Sequence, residues 1–297
     1  MKKSIIVNDI LAMDCDSCRG HVLLRQVEAK NAQTNEAATS YGICKPILLL
    51  EKMEQHTIFI DSRERSSGTD SSFEITLRES VHLQSHRLRV DHCRFVDSFF
   101  TTDLGKYVYY RNGSGGLQYF ALPEQAYTGP RLAVALQTAT GRTTTYSDQT
   151  NAITQVVVSG QEWLSDEELR GFTSGFPTGA NSSTPLSLNS VLGPSAIVDG
   201  SLVWNFVKMS PYDHVFLRSR RLTVENSHAP NGAHDVLCMI PLTEGVGRTV
   251  VGKTPDGVTH ELPADLVLKT VDFSLTHYKG AVVNLRGRSR SFQLTIE

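Results

Sequence analysis

The residues that first invite a chemical reading are Gly247 to Thr254, GRTVVGKT, which fit the phosphate-cradling pattern GxxxxGK[ST]. That motif requires the chain to turn straight into a helix, so that backbone N–H groups and the helix dipole face the phosphates. Here Thr254 runs into Pro255-Asp256-Gly257, a turn that stops a helix, and no acidic strand end offers itself as a magnesium partner. The stretch therefore reads as a glycine-rich hairpin. Cys15-x-x-Cys18 with His21 has the spacing of half a zinc site or a redox pair. The second ligand pair is missing, and the distant Cys44 fits no familiar spacing, so free thiols are the expectation. The ten histidines are dispersed, without HExxH, and no GxSxG positions an activated serine. The sequence nominates no catalytic residue, no metal ligand and no cofactor.

Two arginine clusters remain. Arg286, Arg288 and Arg290 alternate, so a strand continuing through Gly287 would point all three to one face. Arg218, Arg220 and Arg221 form the second cluster. Such strips suit phosphates, as in DNA, or the acidic face of a neighbouring subunit; they equally suit a solvated edge that discourages strand pairing.

Those residues must be positioned by a largely β chain. Ile58 to Ile60 is a short β-favouring run, and Phe73, Ile75 and Leu77 alternate with polar residues. Strands are further expected at 87–96, 107–111, 117–122, 153–158, 202–207, 214–217, 221–225, 236–242, 266–276, 281–285 and 291–296. Two helices interrupt them: one opening at Thr128 with Pro130 in its first turn, and a short one opened by the capping box Ser165 to Glu168. About a dozen strands with two short helices in connections predicts an all-β sandwich. Residues 172–200 read as a long loop, a place for function, where Phe172 and Phe176 are the aromatics available to an attachment module gripping a receptor or glycan.

At 297 residues and a net charge of −2, the chain can bury a core and is not a generally basic nucleic-acid binder. Five scattered cysteines do not form a secreted disulfide framework. Asn112-Gly-Ser114 and Asn181-Ser-Ser183 fit the glycosylation sequon but read as loop residues. The longest apolar run, Ile47 to Leu50, is too short to cross a bilayer, and Asn8 and Asp9 break any signal-peptide core. Residues 1–52 lack turn-punctuated strands and read as an appendage, an arm or a gene-model extension ahead of Met53. The domain is expected to occupy 53–297.

Several stretches share one order with a known family. They are IDSRERSSGTDSSFEITL from Ile60, RLRVDHCRFVDSFF from Arg87, AYTGPRLAVALQTAT from Ala126, WLSDEEL from Trp163 and STPLSLNSVLG from Ser183. VFLRSRRLTVENSHAPNGAHDVLCMIPL from Val215 and DFSLTHYKGAVVNLRGRSRSFQLTIE from Asp272 complete the series. Together they resemble the minor capsid (penton) proteins of polinton-type and adintovirus-like elements over most of residues 56–297. His277 stands where that family usually has an acidic residue, and Arg290 where an aromatic is common. The resemblance implies a jelly-roll sandwich, non-enzymatic, forming a homopentamer at the fivefold vertices of an icosahedral capsid beside a double-jelly-roll major capsid protein. It also implies location in the virion, with a soluble phase in the host cell, in the nucleus, before assembly.

Overall fold

The structure, a computed structural model, describes residues 56–83, 87–157, 159–222, 234–263 and 266–296. The chain opens with β1 (His56–Asp61), a 3-10 turn, β2 (Ser67–Gly68), β3 (Ser72–Leu83) and β4 (Arg87–Val96). A long insertion follows, with β5 (Tyr107–Arg111), β6 (Leu117–Ala121), α1 (Gly129–Thr140), β7 (Thr144–Ser147) and β8 (Ala152–Val156). It continues through β9 (Glu162–Trp163), α2 (Asp166–Leu169), α3 (Asn189–Leu192), β10 (Ser195–Val198) and β11 (Ser201–Trp204). The chain then completes the sandwich with β12 (His214–Arg218), β13 (Val236–Pro241), β14 (Thr249–Gly252), β15 (His260–Glu261), β16 (Leu266–Thr276) and β17 (Arg290–Ile296).

One sheet runs β1-β17-β4-β14, and the facing sheet runs β13-β12-β16-β3, with β2 beyond β3. Counting β1, β3, β4, β12, β13, β14, β16 and β17 as first to eighth, the orders are 1-8-3-6 and 5-4-7-2. That double Greek key is the jelly roll. Its core follows from period-two patterning. Phe292, Leu294 and Ile296 of β17 face Val271, Phe273 and Leu275 of β16, all buried. The Phe273 and Phe292 rings meet edge to face across the two sheets at 4.7 Å. In β4, Leu88 and Val90 point inward, the register slips opposite Gln293 and Leu294, and Cys93 and Phe95 then point inward instead. Without that bulge, His92 and Arg94 would be driven into the core.

Between β4 and β12 the insertion builds two further antiparallel sheets, β10-β11-β8-β7 and β6-β5-β9. It has its own apolar clusters, one around Leu132, Leu136, Ile153 and Trp204, the other around Tyr109, Leu164 and Leu169. Three helices lie here rather than two, and α1 has three full turns, ended by Gly141 at φ 69°. Ser165 and Glu168 cap α2 reciprocally, as expected.

Among the described residues one expected strand is absent and another is not fully covered. Within 281–285 only an isolated bridge joins Val282 to Thr276. At Arg221 and Leu222 the chain bends, and the rest of 221–225 lies outside the described residues, as do 1–52 with Cys15, Cys18, His21 and Cys44.

The sheets close on each other along the β13/β14 flank, where Gly252 packs against fully buried Ile240. A Cβ at Gly252 would lie 2.6 Å from Ile240 Cγ1. Gly252→Val is therefore expected to destabilise by about 1–3 kcal/mol in urea unfolding, with partial rescue by Ile240→Ala.

Candidate interaction surfaces

The two arginine clusters do not form strips. Residues 286–289 make a turn, with Arg286 at φ 54° and Gly287 at φ 74°, and β17 begins only at Arg290. The three arginines that were to share a face therefore diverge. Arg288 is exposed, whereas Arg286 lays its guanidinium 3.5 Å from the Phe100 ring centre and pairs with Asp103 at 2.5 Å. Arg290 is 1% exposed.

In the second cluster, buried Arg218 donates to Thr276 Oγ1 and to Asp235, each at 2.8 Å. Arg221 donates to the Thr270 carbonyl at 3.1 Å and reaches Glu74 at 3.4 Å. Asp272 accepts from the Arg220 and Arg221 backbone N–H groups at 3.1 and 2.9 Å. This bends the chain after β12 and leaves the Arg220 side chain outward. Four of the six arginines thus stitch the fold, and Arg220 and Arg288 are exposed.

Arg290 occupies the sandwich interior. Its guanidinium sits 4.7 Å over the Phe73 ring, and Nη2 donates to the Phe273 carbonyl at 2.9 Å. Nε and Nη1 have no partner. Burial pulls its pKa down to about 10, with opposing pulls from Cys93 and Asp70. The polar turn after β1 roofs this site. Ser62 Oγ accepts from the Arg290 N–H at 3.0 Å and donates to Asp70, to which Arg65 also donates at 2.9 Å. Burial pushes the free thiols of Cys93 and Cys238 up to about 12, so neither is a nucleophile at neutral pH.

The joint between sandwich and insertion holds charge that sequence reasoning missed. Asp97, fully buried just past β4, accepts from the Phe99 N–H at 3.2 Å through Oδ1, while Oδ2 has no partner. Burial, above all, raises its pKa, and Asp103 adds to the effect. Where the chain returns, the Tyr212 ring stacks on His277 at 5.9 Å and 14°. His277 Nδ1 accepts from the Lys279 N–H, and burial lowers its pKa. The one signal in the sequence was an acid inside an apolar run, FVDSFF.

The remaining motifs resolve simply. Gly247 to Thr254 contains no helix start: β14 pairs with β4, Lys253 pairs with Asp256 at 2.7 Å, and Thr254 is buried against Val90. Phe172 and Phe176 pack inward on the Tyr109 cluster, so the attachment reading loses its aromatic grip. Asn112 and Asn181 shape their own loops through Oδ1. Among the described residues no three metal-ligating side chains converge, and no helix is long and apolar enough to cross a membrane.

Two stability measurements follow. Arg290→Met is expected to be neutral or up to about 3 kcal/mol more stable in urea, because it removes an unneutralised buried charge. Arg290→Ala should instead destabilise by opening a void beside Phe73. Asp97→Asn keeps the acceptor for Phe99 and should stabilise by about 1 kcal/mol at pH 7, or 2–4 °C in Tm. The folded carboxyl titrates above its unfolded counterpart, so ionisation costs stability at neutral pH and protonation relieves the cost. The variant's advantage should therefore shrink as pH falls toward the ordinary aspartate value of about 3.9.

No protein-family model matches the chain, and a search of curated proteins returns no match. Among solved structures it is similar to the mavirus penton protein, with a TM-score of 0.45 and 10% identity. The similarity covers 82% of this chain and 99% of that one.

Proposed function

We propose that this chain is a non-enzymatic capsid component, a penton-type vertex protein that assembles as a homopentamer. The observation that carries the reading is the strand order 1-8-3-6 against 5-4-7-2, an architecture shared by viral capsid domains. The stretches resembling penton proteins fall on that framework. IDSRERSSGTDSSFEITL spans β1 to β3, RLRVDHCRFV is β4, the block from Val215 spans β12 and β13, and the last spans β16 and β17.

The role fits a rigid sandwich whose partners are other protein surfaces. Cyclic assembly needs two different, complementary patches and buried area, with no demand for a reactive group. The neighbours on this reading are four further copies and a double-jelly-roll major capsid protein, and the destination is the virion. Contact with packaged DNA would fall to exposed Arg288 rather than to all six arginines.

Light scattering of the full chain across concentration and salt series tests the reading. A mass of five times the 32.8 kDa chain is expected. A strict monomer under every condition would overturn self-assembly.

A further inference from the structure

Where the insertion leaves β4 and returns to β12, a cavity of about 410 Å³ lies between it and the sandwich. The insertion supplies Lys106 and Glu124, which pair at 2.7 Å, and the turn before β17 supplies Arg286. Arg286 pairs across the joint with Asp103 at 2.5 Å, and Asp103 also accepts from the Phe100 N–H at 3.0 Å. The 172–200 segment, expected to carry function, contributes Thr178 and Leu186. The Leu186 carbonyl accepts from the Lys106 and Tyr107 N–H groups at 3.0 and 3.2 Å, which fixes that wall. Leu186 at φ 50° and Arg286 at φ 54° hold left-handed backbone that side chains disfavour, a cost that clusters where a site is kept in shape.

Tyr212 lines the same cavity and is 5% exposed. Its ring meets Phe99 edge to face at 5.0 Å and stacks on His277 at 5.9 Å. Its hydroxyl lies near enough to Asp103 and Arg286 for both to act on its ionisation, the first raising and the second lowering its pKa, beneath a larger upward push from burial. Yet among the described residues no hydrogen bond engages that hydroxyl. A buried tyrosine ordinarily finds a partner for its O–H.

The charges of the lining define what could meet it. Asp103 is matched by Arg286 and Glu124 by Lys106, so an ionic ligand would have to break a pair to gain one. A hydroxyl needs no such exchange, because it donates one hydrogen bond and accepts two. A ring of hydroxyls can accept from Arg286, Lys106 and Tyr212 while donating to Asp103 and Glu124. Leu186 and Val282 leave apolar surface for its C–H groups. The volume lies at the small end of ligand pockets, which run from about 300 to 1,000 Å³.

We propose that this cavity binds a neutral saccharide ring, with the Tyr212 hydroxyl and the Asp103–Arg286 pair as its polar contacts. Vertex packing does not require such a site, so the two readings stand or fall separately. A free sugar and the end of a glycan chain offer the same ring chemistry.

Saturation-transfer NMR on the full chain tests this, with glucose, galactose, mannose and N-acetylglucosamine as probes and N-acetylneuraminic acid and glutamine as charged comparators. At least one neutral sugar is expected to bind with a dissociation constant on the order of 1 mM. Tyr212→Phe should weaken that sugar about 10-fold, the loss of one hydrogen bond, and leave Tm unchanged because the hydroxyl holds nothing in the fold. Val282→Trp, at a position 51% exposed on the cavity wall, should abolish binding by filling the space. The methyl glycoside of the bound sugar separates the two sources: equal binding marks the end of a glycan chain, and rejection marks a free sugar. No response from any neutral sugar at about 100 mM would overturn the site. Tighter binding of a charged comparator, binding unchanged in either variant, or a lowered Tm in Tyr212→Phe would overturn it as well.

Discussion

The fold depends on where its last strand goes. β17 lies between β1 and β4, so the C-terminal strand fills the gap between two of the earliest. Its register runs from Ser291 opposite Asp61 and Arg94 to Ile296 opposite His56 and Leu88. Until it arrives, β1 has no partner and Phe273 has no ring to meet from the other sheet. Asp91 shows the distance spanned, since it is held by Gln293 and Thr295, about two hundred positions away. Such closure is entropically costly and slow, and it is repaid only when both sheets seal. An insertion as long as the one between β4 and β12 is tolerable in this topology because it leaves and returns at one end with its own apolar clusters.

This explains what could be read from the sequence. Alternation is local, so Phe73-Ile75-Leu77, Leu88-Val90, Val271-Phe273-Leu275 and Phe292-Leu294-Ile296 declared both their strands and their inward faces. Capping chemistry is local too, and Ser165 with Glu168 declared a helix. Partner choice is not local. Nothing in Thr144–Ser147 or Ser195–Val198 says that these short segments join a sheet outside the sandwich, so about a dozen strands read as one body. The jelly-roll order itself came from resemblance, and the register from the structure.

The arginines failed as strips for a related reason. Alternation implies a shared face only while the backbone stays extended, and Arg286 and Gly287 at positive φ end that condition. Guanidinium is also amphipathic in a way that composition conceals. Its flat faces stack on Phe73 and Phe100, its edge donates to the Phe273 carbonyl, and the same group that would grip phosphate serves as packing. At Arg290 that service is incomplete, with two nitrogens unpaired. Arg290 is a buried cation held against an aromatic ring.

Edge protection differs from strand to strand in the sandwich. β3 is partly covered by β2, β13 ends in Pro241, and β14 is short and sealed against Ile240. Among the described residues β1 has none of these guards, and it carries the most exposed aromatic of any described strand in the sandwich. A monomer gains nothing from that arrangement, because Phe59 in water forfeits the burial that its β-favouring neighbours obtain.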